Sequence, residues 1–179
     1  MDLLHFDPQP LYFEDPLPEG VHDLIEEAGR HYGQPEAEAL LARAAALAPD
    51  HLVVLVARYR YYFYQHRIVE AQDVVWHAIG VSGAQLGLPA DGAGLTVELV
   101  AAAARVSMTL TRFYLSSIKA AAYVKMRLDE IPAAIALLQT LVEIDEADRM
   151  GGKVLLDIAH ARQNGTSDDE DELETESIL

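Results

Sequence analysis

From residue 19 to residue 163, apolar residues recur every three or four positions, the period of a helix that packs by one face. Ala, Leu, Glu, Arg and Gln dominate the stretch, and glycine and proline fall between periodic segments or at their edges. Alternating strand patterns and hairpin signals are absent there. The pattern predicts helices over 19–32, 35–48, 51–65, 68–81, 95–128, 131–145 and 147–162. Pro35 and Pro132 suit first helical turns, where a missing N–H costs nothing. Short connections make consecutive helices antiparallel hairpins.

The segment Leu95 to Leu128 contains no Gly, Pro, Asn or Asp. At about 100° per residue, Leu99, Val106, Leu110, Phe113, Val124 and Leu128 keep one phase along all of it, which favours a single continuous helix. A break near Thr109–Thr111 is the alternative. The same wheel gathers Arg105, Arg112, Lys119 and Arg127 within about 80° of one another, with Ser116 and Tyr123 among them. No acid lies between Glu98 and Asp129. Solvated helix faces usually mix signs, so this basic stripe points to an acidic counterpart. That counterpart is an outside partner, or this chain's own N-terminal arm or tail. A second cluster, Tyr59-Arg60-Tyr61-Tyr62-Phe63-Tyr64, sweeps the full circumference of a helix and cannot all face the core. Tyrosine and arginine are the types enriched in binding hot spots.

Composition narrows the function. The chain has 179 residues, enough for one domain with a sizeable core, and 51% of them are hydrophobic. Thirteen Lys and Arg face 29 Asp and Glu, a net charge of −16, which argues against nucleic-acid binding. The acids concentrate at the two ends: eight in residues 1–29 and seven in 166–179, with no Lys or Arg in either stretch. Residues 1–18 form an arm in which Pro8, Pro10, Pro16 and Pro18 forbid a helix and favour extended backbone. Its Phe6, Leu11, Tyr12 and Phe13 are costly to leave in water, so the arm is expected to pack along the domain or a partner. After Asn164-Gly165, a helix-stop pair, residues 164–179 read as an acidic disordered tail. Residues 19–163 form the folded domain. The chain has no cysteine, signal peptide or membrane span, and a cytoplasmic protein that binds no membrane is expected.

Candidate chemistry is sparse. His22 and Glu26, four residues apart, suit a surface ion pair better than a metal site. Gly151-Gly152-Lys153 lacks the strand and spacing of a phosphate loop. Ser107, Ser116 and Ser117 have no evident base and orienting group. No catalytic constellation, metal site or cofactor site is expected, and the chain reads as a non-enzyme.

Sliding the chain by 34 residues places Ala28 on Tyr62, Ala37 on Ala71, Leu41 on Val75 and Ala44 on Ala78. A helix–turn–helix period of that length marks a stacked solenoid. The segments 35–50, 68–78 and 131–145 resemble the second helix of the tetratricopeptide repeat, although the third copy follows the second by 63 residues instead of 34. The resemblance implies an all-α solenoid of antiparallel helix hairpins, here with one long inserted helix. It also implies a peptide-binding inner face carrying Glu26, Val56, Arg60, Phe63, Tyr64, Lys119, Tyr123 and Arg127. With Arg105 and Arg112 from the basic stripe, these are the candidate partner-binding residues. The arm at 6–13, the aromatic run at 59–64, and Val106 to Tyr114 are further similar to a small group of repeat proteins from nitrogen-fixing bacteria, the nitrogenase-associated factors. That likeness implies an adaptor for the nitrogenase molybdenum–iron protein, serving protection, storage or maturation. A self-associating scaffold, in the simplest case a homodimer, and a helical enzyme with an unrecognised site are the rival readings.

Overall fold

A computed structural model describes residues 15–176, with side chains described as far as residue 165. Among the described residues the chain is entirely helical. Eight helices follow in order: α1 (Val21–Arg30), α2 (Pro35–Leu47), α3 (Leu52–Tyr64), α4 (Ile68–Leu86), α5 (Val97–Val106), α6 (Met108–Arg127), α7 (Ile131–Ile144) and α8 (Gly152–Glu176). The packed pairs are α1 with α2, α3 with α4, α6 with α7 and α7 with α8, joined by α2 against α3 and, most extensively, α4 against α6.

The internal repeat is visible in burial. Ala37, Leu41 and Ala44 of α2 correspond to Ala71, Val75 and Ala78 of α4 and to Ala134, Leu138 and Leu141 of α7, and all nine are buried. A small residue lets two backbones approach, and the larger one fills the gap a turn later. The turns repeat as well. Gly33, His66 and Asp129 each take a positive φ shortly before the second helix of a pair. In the last two turns the same bond closes the helix, Arg67 N donating to Tyr62 O and Glu130 N to Lys125 O, both at 2.9 Å.

Two expectations are corrected. The segment 95–128 is two helices, not one. Ser107 has extended backbone (φ −153°, ψ 110°) and closes α5 while capping α6, its Oγ accepting from Leu110 N at 3.2 Å. A serine N-cap satisfies a donor that a helix start leaves orphaned, which offsets the lost helical bonds. The break splits the expected apolar stripe: Phe113 and Val124 are buried, whereas Val106 is 72% exposed. At the C-terminus, α8 runs through Asn164-Gly165, the pair read as a helix stop, to Glu176. Glycine inside a helix costs only about 1 kcal/mol, and the Glu-rich sequence beyond it is helix-compatible.

The insertion between α4 and α6 sets where α6 lies. Tyr114 of α6 is fully buried, and its hydroxyl donates to Pro89 O at 2.7 Å. Gly83 of α4 sits against this contact. A Cβ there would come within 2.9 Å of Leu88 O and 3.2 Å of the Tyr114 ring, so only glycine fits. Burial, aided by the Asp91 charge, pushes the Tyr114 hydroxyl from its ordinary 10 up to about 12. The native state therefore resists ionisation. Its contribution is complete below about pH 10 and is lost as pH rises through 12.

Two outcomes follow for urea unfolding. Ser107→Ala should cost about 1 kcal/mol by loss of the cap; an unchanged midpoint would place the α5–α6 break elsewhere. Tyr114→Phe should cost about 1–2 kcal/mol at neutral pH by leaving the Pro89 carbonyl unpaired. It should also flatten the loss of stability between pH 10 and 12.

Candidate functional site

The helices α1, α3 and α6 open the three hairpins, and the aromatic and basic residues collect along them. Each residue of the run 59–64 has its own surroundings. Tyr59 packs into the core clusters shared by α3, α4 and α6, and burial pushes its hydroxyl well above the usual tyrosine range. Phe63 stacks on Tyr59 at 5.6 Å and also meets Tyr64 and Tyr123 at 5.7 Å each. Tyr123 belongs to α6, so these rings bridge α3 and α6. Tyr61 meets Tyr32 of α1 edge to face at 6.2 Å and Tyr62 at 5.5 Å. Tyr62 stands under two guanidinium groups, Arg67 at 4.7 Å and Arg58 at 5.9 Å. Arg67 is held in turn by Glu38 and Glu70, both at 2.7 Å, and it keeps the Glu70 carboxyl below its usual range.

Two grooves flank α3. One lies between α3 and α6, with an apolar floor of Leu55, Val75, Ala78, Phe113 and Ala120 and a rim of Arg60, Tyr64 and Ser116. Its volume, about 70 Å³, is far below the roughly 300–1,000 Å³ of small-molecule sites, so it suits a side chain of a larger ligand. The other lies between α1 and α3, lined by Ile25, Tyr32, Tyr61 and again Arg60 and Tyr64. Arg60 and Tyr64 thus form a ridge common to both grooves. Arg60 is exposed and Tyr64 is 38% exposed. On α6, Ser116 lines the first groove and Tyr123 meets its Phe63; Arg112 and Arg127 fall within about 60° of these two on the helix wheel. Arg112 and Arg127 are exposed. The result is a trough with ring-lined apolar walls and Arg60 on its rim.

The candidate residues do not all join it. Arg60, Phe63 and Tyr64 line it and Tyr123 meets Phe63, whereas Arg112 and Arg127 are exposed on α6 and are not among its lining residues. Arg105 belongs to α5, and the break at Ser107 removes it from the α6 face on which the continuous wheel placed it. Lys119 is only 7% exposed, and its ammonium donates to Met150 O in the α7–α8 connection. It is a structural fastener in a face read as solvent-accessible. The wheel misplaced it because a wheel shows angle but not what packs there. Glu26 lies on α1, paired with His22 and Arg30 at 3.2 Å each. Tyr32 is the contributor the sequence reading missed; its signal was an aromatic in the last turn before a hairpin. Among the described residues, no cluster of three or more His, Asp or Glu is placed to hold a metal, and no helix is long and apolar enough to cross a membrane.

Burial separates the two lysine and arginine positions in a measurable way. Lys119→Glu should lower stability by about 3 kcal/mol or more, because it buries an unpaired charge beside a carbonyl. Arg112→Glu, on an exposed site, should change stability by less than about 0.5 kcal/mol. Equal effects in thermal unfolding would contradict the burial of Lys119.

No protein-family profile matches the chain. No solved structure matches it either. Over 158 residues, 88% of each chain, it is 40% identical to an uncharacterized 19.8 kDa protein in the nifW 5′ region of Azotobacter chroococcum mcd 1. Identity at that level over that share of both chains shows that the chain belongs to the family of that nif-region protein.

Proposed function

We propose that this protein is a non-enzymatic adaptor of tetratricopeptide type that serves nitrogen fixation by gripping another protein. The observation that carries the reading is the trough itself. Its α3–α6 groove is too small for most metabolites, is lined by tyrosine and phenylalanine, and carries Arg60 on its rim in a chain of net charge −16. Such a surface suits an extended acidic segment with one or two aromatic or aliphatic anchors. The nif-region setting of the relative supports the nitrogen-fixation role. The finer reading, a nitrogenase-associated factor T whose partner is the nitrogenase molybdenum–iron protein, rests on the sequence resemblance in the arm, the aromatic run and residues 106–114. On this reading the chain needs no cofactor and works in the cytoplasm.

A second reading, a self-associating scaffold, draws on the α5–α6 junction, where Val106 is 72% and Met108 54% exposed. Exposed apolar pairs of this kind favour a symmetric contact between copies.

Capture from a nitrogen-fixing extract distinguishes the two. The double variant Arg112→Glu with Arg127→Glu should lose most of the captured molybdenum–iron protein, while its circular dichroism stays that of the parent. Charge reversal beside a docking surface is worth on the order of 1–3 kcal/mol, or about 5- to 150-fold in affinity. Undiminished capture would remove the trough from the mechanism. A concentration-dependent mass in light scattering, lost on Met108→Glu, would favour the scaffold.

A further inference from the structure

Helix α5 is held through one narrow side. It packs on α6 and more lightly on α7, burying Ala103 in the core cluster of Val75, Ile79 and Tyr114, with Val100 half-buried beside it. The rest of the helix faces outward. Val97, Leu99 and Val106 are exposed, as are the alanines at 101 and 102, and Met108 continues the apolar patch onto α6. Glu98 and Arg105 are exposed on the same side. They stand two turns apart and within about 20° of each other, and Ala101 and Ala102 sit midway between them. This face is its own complement when turned end over end. We propose that a second copy of this chain covers it, the two α5 helices running antiparallel about a two-fold axis between Ala101 and Ala102, so that Glu98 of each copy pairs with Arg105 of the other.

Charge, spacing and exposure fit. A symmetric contact uses one patch twice, so a residue on one side of the axis must suit the residue equally far on the other. Glu98 and Arg105 meet that condition with opposite charges, and one antiparallel pairing satisfies both ends at once. Among the described residues neither forms an ion pair within its own chain. Glu98 is kept charged, because its own N–H and the Thr96 hydroxyl hold its carboxyl below the usual range. Small side chains at the axis let the helices approach to about 8 Å, the close end of helix packing, and Val97 and Val106 flank the contact. An apolar patch of this kind is costly to leave in water. The helix is only about 15 Å long and offers less than the roughly 800 Å² per partner of a stable interface, so the pair should part on dilution and in salt. No residue of α5 lines the α3–α6 groove, so pairing through α5 does not occupy it. The inference rests on the self-association reading and deepens it by giving its surface and symmetry.

Sedimentation of the full chain over a range of concentrations tests the pairing. The parent should shift from monomer to dimer as concentration rises. Glu98→Arg and Arg105→Glu should each weaken the dimer about tenfold or more, because each sets like charges against one another twice. Mixed in equal amounts, the two variants should pair again, since one copy then offers two positive charges to a copy with two negative ones. The double variant Glu98→Arg with Arg105→Glu should pair like the parent, and circular dichroism should be that of the parent throughout. A chain that stays monomeric at every concentration would overturn this inference and the self-association reading together. A dimer that the single reversals leave unchanged, or that fails to recover on mixing, would end this inference and leave self-association to another surface. A second variant does not depend on charge. The chain has no cysteine of its own, so Ala102→Cys should give a disulfide-linked dimer under mild oxidation at least about tenfold faster than Ala161→Cys, exposed on α8. Equal rates would contradict an axis beside Ala102.

Discussion

The position of α6 against α3 and α4 decides what this molecule can do. It depends on one tight contact. Tyr114 is inserted between α4 and the connection that follows it, with its hydroxyl on Pro89 O and its ring against Gly83. A buried tyrosine with a satisfied hydroxyl combines a large apolar area with a directional tie. Because Gly83 lacks a side chain, the ring and the connection come close to the α4 backbone. That approach brings Phe113 and Ala120 to the floor of the groove and Tyr123 against Phe63. A bulkier residue at Gly83 would push α6 outward and part the rings that join the two first helices.

The same contact explains why an inserted helix is tolerated. The 29 extra residues between the second and third repeat-like segments become a connection and α5, which lies against α6 and α7 and buries Ala103 in the core cluster of Val75, Ile79 and Tyr114. The repeat positions on either side of the insertion keep their burial, from Ala71 and Val75 to Ala134 and Leu138. Lys119 serves the same end farther along. Its long stem is buried and its ammonium ties the α7–α8 connection to α6. The basic stripe of the sequence thus divides into a fastener at Lys119, an exposed pair at Arg112 and Arg127, and an outlying Arg105.

Much of this was legible in the sequence. The helices were, because their apolar period is strong and Pro35 and Pro132 mark their starts. The shared burial of the offset-matched positions was, because small residues at a fixed spacing have a packing cause. The aromatic run was, since six residues around one helix cannot share one neighbour. Three features were not. The break at Ser107 has no glycine or proline, and a serine can cap a helix or ride inside one. The burial of Lys119 depends on a loop thirty residues away. Tyr32 joins the trough through Tyr61, a contact that neither residue's local sequence announces.

We propose that the trough bordered by α3 and α6 is the surface through which this protein grips a partner. Hydroxyl-radical footprinting of the complex captured from nitrogen-fixing cells tests it most directly, by comparing side-chain oxidation in the free and bound chain. The account predicts that Phe63, Tyr64 and Tyr123 become protected while Val154 and Ile158, exposed on α8, oxidise as before. Protection confined to α8 or to the α5–α6 junction, with Tyr64 and Tyr123 unchanged, would contradict it.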